Sequence, residues 1–134
     1  MDKKEKYNHW LEIAQYDLDT ADIMFDSGRY LYVAFTCQQA IEKLTKGIYV
    51  YHFDKEAKYT HNILVVLKEI ESITNLDKYT EYEELFANLS GYYLVGRYDA
   101  YKQELLKELN KNTAQKLLNE TKEAFAWLKS QVKL

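Results

Sequence analysis

The sequence contains no proline and only four glycines in 134 residues. Those two residue types disfavour helix interiors more than any others, so their scarcity predicts long, uninterrupted helices. A single cysteine, Cys37, excludes an internal disulfide. Its place in the apolar stretch "AFTCQQA" marks it as a small core residue in a reducing compartment. The three histidines, His9, His52 and His61, share no ligand spacing with Cys37 or with one another, so neither a metal site nor a cofactor is expected. The longest unbroken apolar run, "YLYVAF", falls far short of the ~20 residues that span a bilayer. The opening "MDKKEKYNHW" is charged and lacks the apolar core of a signal peptide. A basic excess is missing too: 18 Lys and Arg stand against 21 Asp and Glu, a net charge of -3. That balance does not favour a broad electrostatic hold on nucleic acid, though it leaves room for a local basic cleft. The expected setting is soluble and cytoplasmic, with no membrane contact.

What is present is an ordinary globular balance, 47% hydrophobic and 29% charged, with enough apolar residues for a core. Aromatics are abundant, and 13 of them are tyrosines, which suit both cores and wet interfaces. The length suits one domain over residues 1–134. Helical spacing of Trp10, Ala14, Leu18, Ala21 and Phe25 predicts a first helix over residues 4–26, stopped at Gly28. Val33, Cys37, Ala40, Ile41, Leu44 and Ile48 predict a second over residues 30–51. Thr60 is expected to cap a third carrying Ile63, Val66, Leu67 and Ile70. Asp77 is expected to cap a fourth carrying Tyr82, Leu85, Phe86, Leu89 and Tyr93, weakening at Gly91 and Gly96. Residues 97–112 read as a short helix and a turn. A last helix is expected over residues 113–132, with Leu117, Thr121, Ala124, Phe125 and Leu128 inward. The fold class is therefore all-α, an antiparallel up-and-down bundle of about five helices.

Five polar residues interrupt the second helix's core character: Gln38, Gln39, Glu42, Lys43 and Lys46. Gln38, Glu42 and Lys46 are four apart and stack along one face. Glu42 to Lys46 is the favourable i to i+4 orientation. From spacing alone, this row reads as a solvated face. Asp17, between Ala14 and Ala21 on the inward side of the first helix, calls for a basic partner such as Lys43. His61 reads as a first-turn residue of the third helix, His9 and His52 as surface residues. Gly47 sits mid-helix at a cost of about 1 kcal/mol relative to alanine. A close helix crossing would account for it, the dimer contact being one candidate, with Tyr49, Tyr51 and Tyr59 edging the same interface.

Four segments, in order, resemble the HEPN domain family: "WLEIAQYDLDTADIMFDSGRYLYVAF", "AFTCQQAIEKLTKGIYV", "THNILVVL" and "LSGYYLVGRYDAY". Together they cover nearly the whole chain. The resemblance implies a four-helix core plus a short extra helix, forming a homodimer. It also implies RNase activity, or a partner such as a minimal nucleotidyltransferase or an antitoxin. In the family's RNases an Arg, four to six residues and a His build a composite site across the dimer cleft. Arg97 matches the Arg. The His should fall at Lys102, Gln103 or Glu104, and none is histidine; Asp99 and Ala100 replace the usual Pro-Asp. Cleavage without metal needs a group that moves a proton near neutral pH, as histidine does. Arg97 still suits a phosphate, being always charged and fork-shaped. Tyr98 and Tyr101 either stack on a base or pack.

The resemblance therefore points to a dimeric component that binds a nucleotide or RNA phosphate through Arg97, Gln38, Glu42 and Lys46. Asp17, His61, Tyr98 and Tyr101 lie around that site. One alternative is an RNase in which Tyr101, Lys102 or His61 replaces the absent His. Another is a purely structural interaction module.

Overall fold

The computed structural model describes residues 1–74, 76, 79–95, 103–104 and 107–133, with residues 93–95 described by backbone alone. Five α-helices lie among the described residues: α1 Lys3–Asp26, α2 Tyr30–Phe53, α3 Ile63–Glu71, α4 Tyr79–Val95 and α5 Lys111–Ser130. No strand accompanies them among those residues, so the fold is all-α.

The helix ends follow local chemistry. The Asp2 carboxylate accepts from the Glu5 N–H at 2.8 Å and starts α1. Gly28 takes φ 73°, the left-handed turn that lets α1 stop and α2 begin soon after, at Tyr30. α2 outruns its expected end by two residues because Phe53 stacks on Tyr49 with ring centres 4.3 Å apart. It stops at Asp54, which adopts the left-handed conformation at φ 54°. The cap of α3 is Asn62 rather than Thr60: its Oδ1 accepts from the Leu64 N–H at 3.1 Å. Thr60 Oγ1 instead accepts from the Asn62 N–H at 3.1 Å and so shapes the approach to the helix. Asn110 caps α5 through the Thr113 N–H at 3.0 Å, so α5 starts two residues before Thr113 and ends at Ser130. Gly91 does not end α4, which continues to Val95. The Asp77 cap, Gly96 and most of residues 97–112 lie outside the described residues.

α2 is the hub. It touches all four other helices, and 14 of its 24 residues are buried. The expected stripe of Val33, Cys37, Ala40, Ile41, Leu44 and Ile48 forms the centre of the core. Around it close Ala14, Leu18 and Ala21 of α1, Leu67 and Ile70 of α3, Phe86 and Leu89 of α4, and Leu118 and Leu128 of α5. Each buried leucine-sized side chain contributes roughly 1.5–3 kcal/mol, which makes these stripes the main support of the fold.

Gly47 does serve a close crossing, but within the chain. A Cβ built there would lie 2.7 Å from the Cβ of Trp10 and 3.5 Å from Tyr7 Cδ1, so glycine is what lets α1 lie against α2. The three tyrosines assigned to one interface edge separate as well. Tyr49 is buried, Tyr51 lies edge-on to Tyr7 at 6.0 Å, and Tyr59 is 90% exposed.

Candidate functional site

The polar row of α2 is not a wet face. Gln38 is 0% exposed and Glu42 6%. Periodicity puts them on one side of α2, as expected, but His61, just before α3, meets that side through its carbonyl and its ring. Burial forces each polar group to find a partner. Glu42 Oε1 accepts from Gln38 Nε2 at 2.9 Å and lies 2.9 Å from His61 Nδ1. Its second oxygen accepts from Lys46 Nζ at 3.3 Å, the anticipated i to i+4 pair. Gln38 Nε2 also donates to the His61 carbonyl at 3.3 Å, while its Oε1 accepts from Gln39 Nε2 at 2.6 Å. Gln38 thus ties down the His61 backbone and Glu42 its ring.

His61 lies two residues before the first residue of α3 rather than in its first turn. With Nδ1–H directed at the carboxylate, Nε2 is an acceptor in the imidazole form and a donor in the imidazolium form, so the same geometry suits a base or an anion contact. The side chain is 28% exposed, against 7% for that of Glu42. The arrangement is a buried carboxylate orienting a partly exposed imidazole, the second-sphere relationship seen where a histidine must hold one tautomer.

Charges around this pair are matched. Lys43 Nζ donates to Asp17 Oδ2 at 2.6 Å, which joins α2 to α1 and satisfies the inward carboxylate. Lys46 stands 6.0 Å from the ring centre of Tyr59, and that ring meets His61 edge-on at 5.4 Å. Each lysine already has a carboxylate, so neither supplies surplus positive charge.

A cavity of about 460 Å³ opens beside His61. Its walls include Thr60, His61 and Asn62 on one side and Ala87, Ser90 and Gly91 of α4 on the other. Ser90 Oγ accepts from the Ile63 N–H at 3.0 Å and donates to the Phe86 carbonyl at 2.9 Å, clamping α4 to the start of α3. Arg97 stands six residues after Gly91 in the sequence, but it lies outside the described residues, as do Tyr98, Tyr101 and Lys102. Gln103 and Glu104 are exposed.

The structure therefore gathers Gln38, Glu42, Lys46 and His61 into one network, with the Asp17–Lys43 pair beside it. Gln39, one of the five polar residues of that helix, joins the network through Gln38, whereas Tyr59, Asn62 and Ser90 were not anticipated there. The run "YTHN" in the polar break carried a signal, since threonine and asparagine two residues apart both organise helix starts. His52 is half-buried rather than superficial, and its Nε2 is buried without a hydrogen-bond partner among the described residues. His9 is exposed, as expected. Among the described residues no group of three or more His, Cys, Asp or Glu is arranged to hold a metal ion.

A family model described as the HEPN domain matches residues 7–131, almost the full length, from within α1 to the end of α5. The chain belongs to the HEPN domain family. The fold of this HEPN domain is similar to that in the crystal structure of TT1696 from Thermus thermophilus. The TM-score is 0.76 at 21% identity, covering 95% of this chain and 98% of that one, a likeness of fold. No curated protein matches the sequence. Among the described residues no helix of the HEPN domain is long and apolar enough to cross a membrane.

Proposed function

We propose that this HEPN chain binds the phosphate of a nucleotide or RNA in the cavity beside His61. In this reading it works as a dimeric, non-cleaving component paired with a minimal nucleotidyltransferase or an antitoxin. The observation that carries the reading is the His61 ring, held 2.9 Å from the Glu42 carboxylate at the edge of a cavity whose opposite wall is α4. Gly91 on that wall stands six residues before Arg97 in the sequence. Because Lys43 and Lys46 are each paired, the charge that captures the anion must come from elsewhere. Arg97 supplies a guanidinium that stays charged and can hold two phosphate oxygens at once. Gln38, Glu42 and Lys46 act from behind, fixing His61, and Tyr98 and Tyr101 lie in the same segment as Arg97. Lys102, Gln103 and Glu104 offer no group that moves protons near neutral pH, which favours binding over cleavage. Calorimetric titration of wild type and Arg97→Ala with AMP and with a short single-stranded RNA tests the reading. A loss of tenfold or more in the variant is expected; equal affinities would overturn it.

The Glu42–His61 geometry also favours a second reading, an RNase in which His61 replaces the absent histidine. A carboxylate-oriented imidazole is suited to take a 2′-hydroxyl proton. Purified protein that cuts RNA in the presence of a chelator, with cutting abolished in both His61→Ala and Arg97→Ala, would establish this against the first reading.

A further inference from the structure

Tyr59 is 90% exposed, yet it is not an isolated surface ring. It immediately precedes Thr60, at the rim of the cavity beside His61. Its ring meets the His61 imidazole at 5.4 Å with the planes 74° apart, so His61 braces it edge-on. The Lys46 ammonium, anchored by Glu42, lies 6.0 Å from its centre. Two side chains of the buried network therefore flank one exposed aromatic ring.

We infer that Tyr59 is a stacking platform for the nucleobase of that ligand. The inference rests on the nucleotide-phosphate reading above and adds to it the residue that holds the base. Three points lead to it. A protein of net charge -3 gains little from long-range attraction to an anion, so affinity must come from short-range contacts. Aromatic faces supply such contacts to any base. The rings of His61 and Tyr59 are also close enough for one nucleotide to touch both, with its phosphate in the cavity and its base outside it. The shared chemistry fits a free nucleotide or one residue of a single-stranded RNA.

Calorimetry on the full chain separates these possibilities, with AMP, ribose 5-phosphate and a short oligoadenylate as probes. AMP is expected to bind wild type roughly 5- to 150-fold more tightly than ribose 5-phosphate, the usual worth of one stacked base. Tyr59→Ala should bring AMP down to the ribose 5-phosphate level and leave ribose 5-phosphate itself unchanged. Tyr59→Phe should keep the AMP affinity, because stacking needs the ring and not the hydroxyl. Oligoadenylate that binds more tightly than AMP, with the same dependence on Tyr59, identifies RNA as the source. Equal affinities identify the free nucleotide. Equal binding of AMP and ribose 5-phosphate to wild type would overturn the inference and leave phosphate binding standing, as would AMP binding unaffected by Tyr59→Ala. If neither AMP nor ribose 5-phosphate binds, the phosphate reading falls and this inference with it.

Discussion

His61 Nδ1 lies 2.9 Å from Glu42 Oε1, 19 residues away in sequence, and this contact joins the polar approach to α3 to the most buried helix of the bundle. It makes Glu42 a structural keystone as well as an orienting group. Three donors converge on its carboxylate: Gln38 Nε2, His61 Nδ1 and Lys46 Nζ.

Glu42→Ala would leave those donors without their acceptor in a largely dry site. The expected loss is about 2–4 kcal/mol, less than for a fully buried ion pair because Lys46 and His61 reach the rim. Glu42→Gln keeps an acceptor and should fall between alanine and wild type. Urea unfolding followed by circular dichroism measures both. A change below about 0.5 kcal/mol for alanine would mean that the carboxylate is not the network's centre.

Gly47→Ala separates helix propensity from packing. In a free helix the change gains about 1 kcal/mol. Here the new methyl would stand 2.7 Å from Trp10 Cβ, an atom fixed to the backbone of α1. The helices must part, so a net loss of roughly 1–3 kcal/mol is expected. A raised urea midpoint would contradict the close crossing.

Cys37 is fully buried, and burial pushes its thiol up to about 12. The folded protein should not react with an aromatic disulfide reagent at mildly alkaline pH, because the thiolate is the reactive form. One thiol should appear when denaturant is added. Fast reaction of the native protein would show that the α2 stripe opens readily.

His52 tests the acid side of stability. Burial, and then the nearby Lys3 ammonium, lower its pKa from the ordinary 6.5. As pH falls, the unfolded chain takes up this proton before the folded one does. The His52 contribution is therefore intact above pH 6.5 and declines as pH drops from there toward the lower folded pKa. Between about pH 7 and about pH 5, the thermal midpoint of wild type should fall more than that of His52→Gln. A larger fall in the variant would reverse the assigned sign.

The legible features were those written in local spacing. The stripes of α1 and α2, the Asp17–Lys43 pair and the Glu42–Lys46 pair all follow from residues three or four apart, or from a charge placed among alanines. Periodicity states which side of a helix a residue occupies, but not what covers that side. Gln38 and Glu42 therefore read as solvated, although both are buried and bonded to His61. Gly47 showed the same limit: its cost was visible, whereas its partner Trp10 is 37 positions away. Thr60 and Asn62 competed as caps two residues apart, and only the hydrogen bonds decide between them.

The most direct test of a shared phosphate site is a double-mutant cycle between His61 and Arg97, read by AMP titration of wild type, His61→Ala, Arg97→Ala and the double variant. If both side chains hold one phosphate, each single change should weaken binding about tenfold or more, and the double change should cost clearly less than the two losses combined. Losses that simply add, or single variants that bind as wild type does, would contradict the account.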